Sequence, residues 1–315
     1  MLSPNHTVVT EFILLGLTDD PVQERILFAV FLAIYLITLA GNQGMVVLIR
    51  TSSHLQTPMY FFLSHLSFVD ICYSSNVTPH VLHDLLWDRR AISSGGCFAQ
   101  CLLFIALVIT ELYILAAMGL DRYVAICSPL RYSSRMSPSV CASLVTATYV
   151  FGFLNGLSQA LLTFRLPFCG SAEINHFYCA DPPLLLLACG DTRVKKMAMR
   201  VVAGFTLSSS LSVILLSYLL ISATVPRMRS AEGRRRAVST CGCHLTIVSL
   251  FYGTLFCMYL RPPSEKSVEE SKIIAVFYTF LSPMLNPLIY SLRNKDVILA
   301  MQQMTRRHFF PKIAV

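Results

Sequence analysis

Two acids interrupt otherwise apolar runs: Asp70 in PMYFFLSHLSFVDICYSS and Glu111 in LLFIALVITELYILAAM. Carboxyls in such a setting are costly, and three chemistries repay them. A facing pair does acid–base work, a pair with nearby amides holds water or a cation, and a titrating carboxyl switches a conformation. No protease-like motif surrounds either acid, so the first chemistry is the least supported. Asn42 and Asn286 are further polar residues in apolar runs. With Asp70 and Glu111 they predict an interior polar network that could hold water or a cation. A different pair, Asp121 and Arg122, stands with Tyr123 at the end of an apolar run, in MGLDRYVAIC. At a membrane interface these charges need not be fully desolvated. Asp121 is expected to hold Arg122 at rest and to release it when helix ends separate.

Soft ligands also lie close together in Cys241-Gly242-Cys243-His244 and in His176-Phe177-Tyr178-Cys179. The first lies in a run that needs small residues for packing, with no second cluster to complete a site. In the second, a disulfide-bonded loop cysteine is the simpler account. No metal or cofactor is expected. The chain has 11 cysteines, an odd number, so at least one is unpaired. Cys97, Cys169, Cys179 and Cys189 fall on one side of the apolar runs, and four cysteines allow three pairings. The others, such as Cys72, Cys127 and Cys241, read as small buried apolar residues.

The elements that position these groups are membrane helices. The 315 residues are 55% hydrophobic and only 13% charged, half of the ~25% usual for soluble domains. Mean hydropathy is +0.61. Runs of about 20 nearly uncharged residues are long enough to cross a bilayer as helices. The sequence predicts an all-α membrane protein, a seven-transmembrane helix bundle with a short C-terminal amphipathic helix. The spans read Ile26 to Ile49, Met59 to Leu82, Phe98 to Val124, Val140 to Thr163, Met199 to Val225, Val238 to Leu260 and Ile273 to Leu292. A surface-lying segment follows, Asn294 to Met304. The chain reads as a single domain, with residues 1–25 outside, 26–292 as the bundle and 293–315 as a cytoplasmic helix and tail.

Lys and Arg set the orientation. Arg122, Arg131, Arg135, Arg227, Arg234, Arg235, Arg236 and the tail bases gather on one side with few acids. Bases on the other side are mixed with acids such as Asp19, Asp84 and Glu270. The tail is therefore expected in the cytoplasm and the N-terminus outside a plasma membrane. Asn5-His6-Thr7 is a glycosylation sequon on the outer side, and Asn5 is the expected acceptor. No cleavable signal peptide is visible, so the first span is expected to direct membrane targeting. The +8 net charge lies between apolar spans rather than among stacking aromatics, which favours contact with membrane lipids over nucleic acid. A transporter would show inverted repeats or broken helix pairs, and neither is seen. No enzyme is expected.

Gly41-Asn42, PMYFFLSHLSFVDICYSS, MGLDRYVAIC, Ser217-Tyr218, STCGCHLT and PMLNPLIYSLRN occur in order along the chain. In that order and spacing the sequence resembles the olfactory receptor family of rhodopsin-like G-protein-coupled receptors. Two departures lie near the cytoplasmic face. The family commonly has Ala-Tyr where this chain has Gly119-Leu120, and its Lys-Ala-Phe-Ser-Thr-Cys run here begins Arg236-Ala237-Val238. The resemblance implies disulfides Cys97–Cys179 and Cys169–Cys189. It implies an odorant as ligand, and signalling through a heterotrimeric stimulatory G protein of the olfactory type to adenylyl cyclase. It also implies that Asp121, Arg122, Tyr123, Tyr218, His244, Asn286, Pro287 and Tyr290 serve coupling and switching, with freed Arg122 packing against Tyr218 and the G protein. Pro283 and Pro287 mark a plausible hinge, with polar groups such as Asn286 compensating the broken helix bonds.

Helical spacing and the resemblance together place a ligand pocket in the outer half of the bundle. Phe104, Ile105, Val108 and Ile109 share one face of the third span, and Val202 and Thr206 share one on the fifth. Tyr252, Leu255 and Tyr259 are expected from the sixth, and Val276 and Thr279 from the seventh. This lining is mostly apolar, carries a few hydroxyls and lacks an acid to pair with an amine. It predicts a neutral, mostly hydrophobic small volatile ligand.

Overall fold

A computed structural model describes residues 9–87, 90–169, 171–228, 230–259 and 265–309. Seven long helical segments form a bundle: α1 (Pro21–Thr51), α2 (Pro58–Asp84), α3 (Ser94–Cys127), α4 (Pro138–Phe164), α5 (Arg193–Thr224), α6 (Ala231–Tyr259) and α7. The last runs as Glu265–Val276, a π turn Phe277–Leu281, and Ser282–Arg293. A further helix, α8 (Lys295–Phe309), follows without a spacer beyond Asn294. It extends past the predicted end at Met304.

Local sequence sets the helix starts. Pro21, Pro58 and Pro138 occupy first-turn positions, where the missing N–H is no loss. Asp20 accepts from the Val22 N–H at 2.8 Å, and Ser93 from Gly96 at 3.1 Å, each satisfying a donor at a helix start. The observed helices outrun several of the predicted spans, because caps rather than hydropathy end them.

Six of these helices are long and apolar enough to cross a membrane by themselves, and the chain is a multi-pass membrane protein. α2 has the length but not the apolarity. Its polar residues Ser67, Asp70, Ser74 and Thr78 are buried against the bundle rather than turned to lipid. α3 is the most enclosed of the six. α4 lies against it through Gly152 and Gly156, one turn apart. A Cβ on Gly156 would stand 2.6 Å from the Leu102 carbonyl oxygen, so this approach depends on glycine.

The kink in α7 has identifiable partners. Pro287 has no N–H to give the Pro283 carbonyl, four residues earlier. That carbonyl accepts instead from Asn42 Nδ2 on α1, at 2.9 Å. The compensating group is thus Asn42, not Asn286, whose amide is committed to Asp70. Pro283 likewise gives no N–H to the turn before it, and that turn is the π turn.

The end predicted to face outside carries a small sheet that the sequence reading did not anticipate. β1 (Glu11–Leu14) lies between β2 (Ala91–Ser93) and β3 (Glu173–Ile174), antiparallel to the former and parallel to the latter. Phe12 and Leu14 alternate inward and pack with Ile174, Leu184 and the Cys97–Cys179 disulfide. Arg90 ties this sheet to α1 through the Leu15 carbonyl at 2.8 Å, Asp19 at 3.0 Å and Glu24. The second disulfide, Cys169–Cys189, closes the loop between α4 and α5 on itself.

Candidate ligand cavity and cytoplasmic switch

A cavity of about 770 Å³ opens in the half of the bundle predicted to face outside, within the size range of small-molecule sites. Of the residues expected there, Phe104, Ile105, Val108 and Ile109 from α3, Val202 and Thr206 from α5 and Leu255 from α6 line it. Tyr252 and the α7 pair are not among its lining residues. The Tyr252 hydroxyl is buried and donates to Ser210 Oγ at 2.6 Å, tying α6 to α5. On α7, Ser271 and Tyr278 stand seven residues apart, on one helical face. Ser271 and Tyr278 face the cavity in place of Val276, which packs on the core, and Thr279, which is fully buried. The side chain of Tyr259 lies outside the described residues, as does Asn5.

The loop between α4 and α5 supplies the residues that helical periodicity missed. Tyr178 stacks on Phe104 with ring centroids 4.9 Å apart, and its hydroxyl is hydrogen-bonded to that of Tyr278. His176, Ala180, Asp181 and Leu186 complete this wall. The implied Cys97–Cys179 bond was the signal available, since it pins the neighbours of Cys179 over the outer end of α3. His176 is buried in this loop. That burial, and then the charge of Lys272, lower its pKa to about 3, so the imidazole stays neutral.

The expectation of a wall without acids needs correction. Asp181 and Glu173 both line the cavity, but Asp181 is already paired. Lys195 Nζ lies 2.6 Å from Asp181 Oδ2, and the two side chains are only 2% and 6% exposed. Lys195 also donates to the Gln159 carbonyl at 3.0 Å and to Gln159 Oε1 at 2.6 Å. The other carboxylate oxygen accepts from Thr163 at 2.6 Å and from the Cys101 thiol at 3.3 Å. One ion pair therefore fastens α3, α4, α5 and the loop.

Deeper in the bundle, Asn286 Nδ2 donates to the Asp70 carboxyl at 3.0 and 3.2 Å. Glu111 lies within reach of the same amide and of Asp70. Asn42 stands apart, bonded to the Thr38 and Pro283 carbonyls. Asn42 Oδ1 and Glu111 Oε1 are buried without a partner among the described residues, as are groups that hold water or a small cation.

At the end predicted to face the cytoplasm the expected Asp121–Arg122 ion pair is not formed among the described residues. Adjacent helix positions point about 100° apart, so the two side chains diverge. Asp121 Oδ1 accepts instead from Tyr132 Oη at 2.8 Å. Tyr132 lies beyond the span, and burial and then the nearby Asp121 charge raise its pKa. Among the described residues Arg122 Nε has no hydrogen-bond partner, nor has the buried Tyr290 hydroxyl. The Arg122 charge acts on Tyr218, His244 and Tyr290 alike. Tyr123 packs on the core beside them, and the Pro287 ring lies against Gly41.

His244 joins three helices. Its Nε2 is 3.0 Å from the Leu115 carbonyl of α3, and its Nδ1 is 2.8 Å from the Tyr218 hydroxyl of α5. A carbonyl only accepts, so Nε2 carries the proton and Nδ1 accepts from Tyr218. Both nitrogens are thereby used in hydrogen bonds within the bundle.

Comparison with known proteins agrees with this architecture. The olfactory receptor family model matches residues 31–308. The chain is 79% identical to human olfactory receptor 5M10 and 78% identical to human olfactory receptor 5M1, over the whole of each chain. It is 61% identical to mouse olfactory receptor 5M5, covering 99% of this chain and 98% of that one. A match of that extent, on a seven-helix bundle with an enclosed outer cavity, leaves one conclusion: the chain belongs to the olfactory receptor family.

Proposed function

We propose that the chain is an odorant receptor that takes a small, mostly apolar, uncharged volatile ligand into the outer cavity. It then activates a stimulatory, olfactory-type G protein to raise cAMP. The observation that carries this reading is the cavity itself, walled by Phe104, Ile105, Val108, Val202 and Leu255 and roofed by a loop that a disulfide holds to α3. Asp181 there is neutralised by Lys195, and the other lining acid, Glu173, is exposed to solvent on β3, which together disfavour a buried cationic amine.

The path from cavity to cytoplasm runs along α5 and α6. Two hydrogen bonds tie these helices, Tyr252–Ser210 below the cavity and Tyr218–His244 nearer the cytoplasm. A ligand opens the cytoplasmic end only by binding the open arrangement better than the closed one. Opening parts Tyr218 from His244 and lets it meet Arg122. The polar groups at Asp70, Glu111 and Asn286, with water or a cation among them, sit where α2, α3 and α7 slide past one another.

The whole chain acts as one receptor unit in the plasma membrane, with its N-terminus and the Asn5 glycan outside and α8 along the inner lipid surface. The excess of Arg near Arg122, Arg131 and Arg234 supports this orientation. The deciding experiment is cAMP in cells expressing the receptor with an olfactory-type G protein, across a broad volatile panel, beside Arg122→Ala. A ligand-dependent rise, lost in the variant at equal surface level, is expected. An Arg122→Ala receptor signalling normally sinks the switch.

A further inference from the structure

Lys195 fixes the direction of the Gln159 side-chain amide. Amide oxygen and nitrogen have nearly the same shape, and only hydrogen-bond partners tell them apart. An ammonium group has three donors and no acceptor. Lys195 Nζ lies 2.6 Å from one end of the Gln159 amide, so that end is the oxygen. Its other two donors go to the Gln159 carbonyl at 3.0 Å and to Asp181 at 2.6 Å. The amide cannot turn over without setting N–H against N–H.

The Gln159 nitrogen is thus fixed on the side away from Lys195. Among the described residues it donates to no protein acceptor, and Gln159 lines the cavity though it is only 3% exposed. The neighbouring Asp181 offers a ligand little, because Lys195, Thr163 and Cys101 already occupy its oxygens. This corner of an apolar chamber is therefore a neutral donor beside a cancelled charge. A ligand cation finds the carboxylate taken. A ligand carboxylate meets Asp181 with Lys195 already spent.

We infer that the Gln159 amide nitrogen is the specificity-determining donor of the cavity, with Lys195 as its positioning residue. The ligand class it selects is uncharged compounds carrying a carbonyl or another neutral acceptor on an apolar body. This rests on the cavity being the ligand site, as proposed above.

The test is a set of cAMP dose–response curves in cells displaying the full chain, with surface level measured. The probes are medium-chain methyl ketones, the secondary alcohols that match them, the parent alkanes and the matching carboxylic acids. Ketones are expected to activate best. Gln159→Met moves their half-maximal concentration up about three- to tenfold, the loss of one neutral hydrogen bond, and leaves alkanes unmoved. Gln159→Glu still accepts from Lys195 but presents an acceptor, and it reverses the order of ketone and alcohol. Lys195→Arg keeps the wild-type order, whereas Lys195→Met narrows the gap between ketone and alcohol.

Ketone curves unchanged in Gln159→Met overturn the inference. So does silence of every ketone at a receptor present on the surface. Val108→Trp, which fills the cavity, separates the two levels of the argument. If it abolishes responses that Gln159→Met leaves alone, only the donor assignment falls. If it changes nothing, the cavity reading falls with it. Should Gln159→Met fail to reach the surface, Gln159→Glu carries the test, because it preserves the bond to Lys195.

Discussion

The Tyr218 hydroxyl lies 2.8 Å from Nδ1 of His244, whose other nitrogen is bound 3.0 Å away to the backbone of α3. Three helices meet in one chain of hydrogen bonds, and each donor and acceptor in it is assigned. Tyr218→Phe and His244→Phe are each expected to lower the thermal stability of the unliganded receptor. In a double-mutant cycle the pair should couple by about 0.5–1.5 kcal/mol. Melting curves of the four proteins measure this, and full additivity of the two changes rules the bond out.

The Asn42–Pro283 contact has a sharper signature. Asn42→Leu leaves a buried carbonyl without a donor, at a cost of about 1–3 kcal/mol. Pro287→Ala restores an N–H four residues beyond that carbonyl and is expected to recover much of the loss in the Asn42→Leu background. Surface expression and melting temperature of both variants report it. No recovery means that the kink is held by something other than the exchange of one donor for another.

Glycine matters very differently at two places. At Gly156 an added side chain strikes the α3 backbone, so Gly156→Leu should prevent surface delivery. At Gly119, where relatives of this kind commonly carry alanine, an added Cβ meets Ile214 and His244 at 3.6 and 3.7 Å, ordinary contact. Gly119→Ala should therefore be tolerated, gain up to about 1 kcal/mol in stability and leave ligand-induced cAMP intact. Loss of signalling in that variant would show that the open state needs the missing methyl.

Acid on the outer side should weaken the roof of the cavity. His176 is held neutral, with its pKa down to about 3 against 6.5 for an ordinary histidine. A depressed histidine contributes stability in full above 6.5. That contribution is lost as pH falls from 6.5 towards 3, because only the unfolded form takes up the proton. Thermal melts across that window should show a decline that His176→Gln largely removes; the same decline in both proteins assigns it elsewhere.

Much of this was legible in the sequence, and the failures share a cause. The spans announced themselves because α1, α3, α4, α5, α6 and α7 are apolar along their length. α3 and α5 showed their cavity faces through the helical period at Phe104, Val108, Val202 and Thr206. On α7 the period alone left the choice of face open, and the reading took Val276 and Thr279 where Ser271 and Tyr278 meet the cavity. Asp121 and Arg122 looked like partners because they are adjacent, but adjacency on a helix separates side chains, and the partner was Tyr132. Lys195 and Asp181 are 14 residues apart across a loop, and only the fold brings them together. Periodicity reports one helix at a time; pairings between helices and loops need a third dimension.

The strand at Glu11–Leu14 imposes an order of assembly. Its parallel partner, Glu173–Ile174, is synthesised only after α4, and the Cys97–Cys179 bond waits for the same stretch across 82 residues. Until then Phe12 and Leu14, wholly enclosed in the finished receptor, have no surface to rest on. In the proposed orientation they wait on the secretory side, tethered to a helix already in the bilayer. Closing so distant a contact is slow, and the cap cannot close before the chain has reached Cys179. A chain interrupted before that point therefore presents an apolar strand and unpaired thiols at the very segment that roofs the cavity.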